Sequence, residues 1–514
     1  MKHIFKNVLT AAILCFSLNS CKELDTVPYV GQVSELVYKD PANYKLILAK
    51  MYAGLAASGL KNGDNDVDLK GYDGGSQSYM RAYWYLQEFT TDELVCRWND
   101  PGVPDLHAMN WTAANSFSAA FYSRILFQVA VSNEFLRETT DAKLSSRGVT
   151  NTQDIKNYRA EARFLRALAY SHAIDLYGNV PLITENEQVG ATLPKQATRA
   201  ELFAYLESEL LALDAELPAP KTNEYGRADK AAAWMTLAKL YLNAEVYIGQ
   251  KKYTEAAAVA KKVIDAGYTL ASNYRTNFLA DNNTSKEIIF SINFDGNETQ
   301  TYGVTTLAIN GSIGGAMNPA DYGTEQKWAG FRTTKQLVNL FDDKADKRAL
   351  FYTNGQQLEI DEFSTFENGY AVVKFSNLTS TGVKGKNALY ADTDFPLFRL
   401  ADAYLMYAEA VTRGGTGDNS LALNLVNELR KRAGAGNLST LTINDLLNER
   451  GRELFWEGHR RTDLIRFGKF TSGYNWAWKG GVKEGKDVEA FRTLFPLASG
   501  DIIANPTLKQ NTGY

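Results

Sequence analysis

The sequence predicts a mainly α-helical protein, a scaffold of tetratricopeptide-like helical hairpins with irregular loops and short β-hairpin insertions that form a ligand face. Three observations carry this. Apolar residues recur at i, i+3, i+4 and i+7 in separate long stretches, among them Leu400, Ala403, Tyr404, Tyr407 and Val411. Between Ala231 and Gly267, Trp234, Leu237 and Tyr241 precede Tyr253, Ala256, Ala257 and Ala260, which is the spacing of a repeat hairpin whose small alanines let two helices approach closely. From 285 to 396 the helical period is lost, and β-prone and glycine-rich segments replace it.

The elements follow in chain order. Residues 1–20 form a short basic lead, Lys2 and Lys6, and an apolar run, Val8 to Leu18, too short to span a bilayer core of roughly 30 Å. This is a secretory signal ending in Leu18-Asn19-Ser20-Cys21, similar to a lipoprotein signal-peptidase site, so Cys21 is expected to become a diacylated N-terminus in contact with membrane lipid. Cys15 competes for that role but follows the bulky Leu14. Residues 21–33 read as anchor and tether, and 34–220 as an N-terminal helical region carrying ligand loops. In that region a helix is expected at about Asn43–Ala57, an exposed Gly/Asp/Asn-rich loop over Leu60–Ser78, and an antiparallel helix pair. Phe121, Ile125, Phe127 and Phe135 mark the first helix of the pair, and Tyr158, Ala162, Leu165, Ala169 and His172 the second, with Gly178 and Pro181 stopping it. A further helix runs from about Ala200 to Leu213. Residues 221–284 hold the repeat hairpins. The rest, 285–514, divides into an irregular platform (285–396, with "EIIFSINF", "GSIGGAMNPADYG", "AVVKF" and a short helix near Thr334–Phe341), helices over 397–470, and a C-terminal tail. Thr442 with Asp445 three residues on reads as a helix cap.

Composition limits the chemistry. The formal net charge of −4 becomes more negative once Lys2 and Lys6 leave with the signal, which argues against nucleic acid as a partner. With Cys15 removed and Cys21 lipidated, only Cys96 is left as a thiol, so no intrachain disulfide and no cysteine zinc site is expected. His107, His172 and His459 are widely scattered. Cys96 reads as a buried structural cysteine. H-E-x-x-H, G-x-x-x-x-G-K-[ST] and G-x-S-x-G are all missing, and no cofactor or metal is expected. "NGDNDVD" places Asp64, Asp66 and Asp68 at alternating positions, a weaker calcium idea set against a solvated turn. The charge-dense stretch Glu449, Arg450, Arg452, Glu453, Glu457, Arg460, Arg461, Asp463 and Arg466 spaces three glutamates four apart. Arginines within helical reach of each favour ionised pairs over an acid/base couple.

Several long segments then agree together: "EFTTDELV", "YRAEARFLRALAYSHAIDLYGNVPLI", "FPLFRLADAYLMYAEA", "ALNLVNELRKRAG", "LLNERGRELFWEGHRRTDLIRFGKF" and the ending "LFPLASGDIIANPTLKQNTGY". In this order they resemble the SusD/RagB family of outer-membrane nutrient-binding lipoproteins. The resemblance implies a non-enzymatic surface protein that caps a SusC-like, TonB-dependent β-barrel transporter and captures nutrient, usually glycan, for uptake. A peptide ligand is the alternative within the family. From other classes, the alternatives are a helical-repeat envelope scaffold without small ligand and a surface glycosidase.

A sugar's apolar face stacks on an exposed ring while nearby polar groups bind its hydroxyls, so aromatics in polar, non-periodic surroundings are the candidate contacts. Trp98 in "CRWNDPGVPD" leads, with Asn99 and Asp100 beside it. Tyr72, Asp73 and Arg81 are expected to form an opposite wall, and Tyr322 and Trp328 in "ADYGTEQKWAG" to add rings from the platform. The scaffold alternative predicts instead that Trp98 and Trp328 are buried or far apart.

Overall fold

The computed structural model describes residues 34–59, 67–150, 152–187, 190 and 192–514. The signal and Cys21 lie outside the described residues, as do Asp64 and Asp66. Helix α1 (Asn43–Ala56) buries Tyr44, Leu48, Met51 and Leu55 on one face. Of the glycine-rich stretch after it, the described part is not simply exposed: Asp68 pairs with Lys50 at 2.8 Å, and Gly74, Gln77 and Ser78 are buried. Helix α2 (Tyr79–Glu88) follows, with all ten residues buried, and leads into strand β1 (Val95–Cys96).

Helix α3 (Ser116–Glu138) is started by Asn115, whose side chain accepts from the Ser118 amide at 3.1 Å. It packs on α4 (Thr152–Leu176) as the expected pair, through Phe121, Ile125 and Phe135; Phe127 is only half-buried, and Val129 takes the core position instead. Just past α4, Gly178 adopts φ 72°, a left-handed turn that a side chain disfavours. Helix α5 (Arg199–Glu216) opens with a capping box, Thr198 with Glu201. Helix α6 (Lys230–Leu242) is capped by Asp229 and packs against α7 (Tyr253–Ile264) through Ala256, Ala257 and Ala260, the predicted hairpin.

The platform opens with strand β2 (Ile288–Ile292), contains helix α8 (Val304–Ser312), buried along its whole length, and continues to strand β3 (Phe331–Arg332). A single helical turn, Lys335–Val338, stands where the short helix was expected. Strand β4 (Phe395–Arg399) closes the platform and pairs antiparallel with β2, Phe290 opposite Phe398. Helix α9 (Leu400–Thr412) then packs on α7, α10 (Asn419–Ala433) on α9, and α11 (Ile443–Leu454), with the predicted Thr442–Asp445 cap, on the other side of α9. Consecutive hairpins thus stack into one helical row from α3 to α10, with the platform laid on it.

The charged stretch is buried and engaged in ion pairing except at Arg461, which donates to the Thr493 carbonyl at 2.8 Å and lies over the Phe470 and Phe495 rings. Glu457 lies beyond the end of α11, so the three glutamates do not share one helix. Arg348 reaches Glu449 at 2.6 Å and Glu453 at 2.9 Å, Arg399 reaches Glu453 and Glu457 at 2.6 Å each, and Lys374 reaches Glu457 at 2.7 Å. Arg432 also pairs with Glu453. Burial works to raise the Glu453 carboxyl, but Arg432, Arg399 and Arg348 more than offset it and hold it well below the usual range; Arg348 and Arg452 likewise lower Glu449 against its burial. Neither carboxyl is a proton donor near neutral pH, which removes the basis of the glycosidase alternative at these residues.

The segment after α11 clamps α2 from the far end of the chain. Trp84 donates its indole N–H to the Trp456 carbonyl at 3.0 Å, Tyr83 donates to the Gly458 carbonyl at 3.0 Å, and the Gly458 amide donates to Glu88 at 2.6 Å. Arg460, in helix α12 (Arg460–Arg466), forks onto Asp92 with both bonds at 2.8 Å.

Candidate ligand-binding cleft

Four chain segments build one open cleft of about 500 Å³, lined by Gly75, Ser76, Arg81, Tyr85, Trp98, Asp100, Val103, Phe117, Tyr302 and Trp328. Helix α2 supplies its floor. Arg81 is buried there and donates to the carbonyls of Gly75 at 3.0 Å and Tyr302 at 2.9 Å and to the Tyr85 hydroxyl at 2.9 Å, so one guanidinium ties the glycine loop and the Tyr302 segment to the helix. Burial pushes the Tyr85 hydroxyl up to about 12 despite Arg81, so it stays a neutral donor.

The two tryptophans are brought together by a two-residue sheet. β1 pairs antiparallel with β3, Cys96 opposite Phe331, and the Arg97 amide extends the ladder to the Gly330 carbonyl at 3.0 Å. Trp98 and Trp328, leaving the two strands at the same end, therefore meet with ring centroids 6.2 Å apart and planes inclined by 55°. Trp98 also packs on Phe331 at 4.8 Å and donates to the Trp328 carbonyl at 3.3 Å. Gly330 makes this approach feasible: a Cβ there would sit 2.5 Å from Trp98 Cζ2 and closer still to Cε2. Tyr302 completes an arc, its ring 5.8 Å from Trp328 with planes inclined by 65°. Trp98, Trp328 and Tyr302 are each half-buried, keeping ring surface toward the cleft.

Of the residues expected at the site, Trp98, Asp100, Arg81 and Trp328 converge on this cleft. Asn99 is exposed on the Trp98 loop outside the lining. Asp73 stands behind the rim and accepts from the Ser76 amide at 2.6 Å, shaping the Gly75–Ser76 edge without lining it. Tyr72 turns away, its hydroxyl 2.7 Å from Ser123 Oγ. Tyr322 also falls outside. It ends the short turn Pro319–Tyr322, where a Cβ on Gly323 (φ 75°) would run into the Asn377 carbonyl and the Tyr322 carbonyl accepts from the Asn377 amide at 2.9 Å. These bonds carry its ring toward Arg275 and Tyr352 rather than Trp328. Tyr302, missed in the sequence, meets the same criterion of an aromatic beside glycine among polar residues; Tyr85 and Phe117 sit in buried helical patterns that give no such signal.

Cys96 is buried directly behind the cleft, and burial pushes its thiol up to about 12. Among the described residues no three His, Cys, Asp or Glu side chains are grouped to hold a metal ion, and no helix is long and apolar enough to cross a membrane.

Comparison with known proteins gives a consistent relationship. Residues 342–514 match the family described as SusD family, and residues 24–242 match the one described as starch-binding associating with outer membrane. The chain is 34% identical to the starch-binding protein SusD of Bacteroides thetaiotaomicron, covering 100% of this chain and 99% of that protein. Its fold matches surface glycan-binding protein A from Bacteroides uniformis with a TM-score of 0.71 at 21% identity, over 92% of this chain and 99% of that one. It matches surface glycan-binding protein A from Bacteroides thetaiotaomicron in complex with laminarihexaose with a TM-score of 0.69 at 20% identity, over 92% and 99%. With full-length identity above the level at which families diverge in fold, and with the predicted helical row in place, the chain belongs to the SusD family.

Proposed function

We propose that this chain is a non-catalytic lipoprotein of the outer-membrane surface that captures starch-type glucan in the Trp98–Trp328–Tyr302 cleft. In this reading it is anchored through Cys21 and delivers the glucan to a SusC-like TonB-dependent barrel. The observation that carries the reading is the arc itself: three partly exposed rings, contributed by distant segments, face one open cleft with Asp100, Ser76 and Arg81 among them. Rings inclined by 55° and 65° to their neighbours suit a ligand whose successive sugar faces turn, as they do along an α-linked glucan, better than a flat ribbon. The starch-binding name of the full-length relative supports the same class. The meeting of Trp98 and Trp328 in one cleft runs against the scaffold alternative, which needs them separated or buried.

The test is calorimetric titration of the mature protein, lacking Cys21, with soluble starch, laminarin and a mixed peptide pool, beside Trp98→Ala and Trp328→Ala. Saturable starch binding that both variants lose is the expected result. Saturable binding to peptide alone would replace the ligand class, and binding that survives both substitutions would remove the site.

A further inference from the structure

A second cleft, of about 480 Å³, is lined by the same chain segment that reaches the first. Its lining includes Tyr225, Asp281, Thr299, Lys384, Lys386 and Asp392. Thr299 lines this cleft and Tyr302 lines the aromatic one, three residues further along, so the two are separated by at most about 11 Å of chain. This segment is stiff. The Thr299 amide returns to the Asp295 carbonyl at 2.8 Å, and the Gly296 amide donates to Asp392 at 2.8 Å. Its crest, Asn297, Glu298 and Gln300, is exposed and polar. A second loop also runs between the clefts: Lys384 and Lys386 line the second, while the Tyr390 ring packs tilted against Tyr302 of the first, centroids 5.2 Å apart, with Leu389 exposed beside it.

Tyr225 gives the second cleft a stacking face. It is 45% exposed, yet its hydroxyl is fixed by a 2.8 Å bond to the buried Asp394, so the ring is held at the surface with its polar end already satisfied. The neighbouring carboxylates, ammonium groups and Thr299 hydroxyl offer acceptors and donors for sugar hydroxyls around it.

We infer that the second cleft is a remote subsite for the same glucan chain, so that a long chain crosses the Asp295–Tyr302 segment and occupies both clefts while a short oligosaccharide occupies the first alone. The inference rests on the glucan-binding reading above. Its consequence is selection for polymer: the second contact forms within an already bound chain, at high effective concentration, and raises affinity without altering the first cleft.

The experiment compares maltotriose with long soluble amylose on the full mature protein, on Tyr225→Ala and on Lys384→Ala. Lys384 is an exposed side chain whose removal leaves the packing intact, which guards against a folding defect in the tyrosine variant. Wild type is expected to bind amylose about tenfold or more tighter than maltotriose. A loss in either variant confined to amylose, with maltotriose affinity unchanged, supports the subsite. Amylose affinity unchanged in both variants, with maltotriose still bound, overturns this inference and leaves the glucan reading standing. Failure of wild type to bind either sugar overturns both.

Discussion

Gly330→Ala tests the arc through a residue that touches no ligand. The backbone of Gly330 is pinned on both sides, its amide donating to the Gly311 carbonyl at 2.7 Å and its carbonyl accepting from Arg97 at 3.0 Å, so the new methyl cannot retreat. The added Cβ would stand 2.5 Å from Trp98 Cζ2, and carbon atoms settle at about 3.5–4.0 Å, so the indole must move by roughly 1–1.5 Å. That shift breaks the 3.3 Å bond from Trp98 to the Trp328 carbonyl and opens the angle between the rings. An aromatic contact is worth about 0.5–1.5 kcal/mol beyond its buried area, so loss of register with one sugar face, together with that area, should cost about 1–2 kcal/mol of binding. This is roughly a 5- to 30-fold weaker dissociation constant for soluble starch. Calorimetry gives the constant, and the thermal midpoint checks that the scaffold is intact, since the clash falls on a half-exposed ring. A variant that binds starch as wild type does would refute the role assigned to Trp98, because no arrangement consistent with these contacts keeps the ring in place.

Other expectations follow from the buried charges and thiol. Glu453→Gln leaves Arg348, Arg399 and Arg432 short of a buried counter-charge and should destabilise the fold by about 3–5 kcal/mol in urea denaturation; a neutral result would show the pairs to be dispensable. Between the usual histidine value of 6.5 and the usual glutamate value of 4.5 two linkages oppose each other: burial holds His172 down to about 3 and His459 well below normal, so the unfolded chain takes up protons there first, whereas burial pushes Glu88 up to about 7 and Glu93 well above normal, so the native chain does. Below 4.5 the carboxyls held down in the native protein, Glu449 and Glu453, take over and stability should fall with pH; a urea midpoint flat from about pH 4.5 to 3 would contradict this. Cys96 should resist a thiol reagent in the native protein and react at once after unfolding; rapid native labelling would mean that the cleft floor opens.

The helical row was legible in the sequence because repeat hairpins write their contacts into local spacing, as Trp234 to Ala260 do. Helix α2 was not, since Arg81, Gln87 and Glu88 are buried among aromatics and leave no apolar stripe to detect. Helix α8 hid for a similar reason, being enclosed on every side with threonines and a glycine in its sequence. At the cleft, local composition found Trp98 and Trp328 but also admitted Tyr322, because hydrogen bonds to residue 377 decide where that ring goes. The partners of Glu453 and Glu457 were invisible for a related reason: Arg348, Lys374 and Arg399 lie some 50 to 105 positions away along the chain.

The clamp on α2 by residues 456–460 has a consequence for a chain that is synthesised N-terminus first. Every ring of the arc lies before residue 330, yet the helix beneath it is anchored by Trp456, Gly458 and Arg460, more than 360 positions downstream of the residues they hold. Contacts of such long range form late and slowly. A chain interrupted after the platform would carry the whole aromatic set and still lack a firmly held cleft, so an ordered arc reports that the chain has been made nearly to its C-terminus.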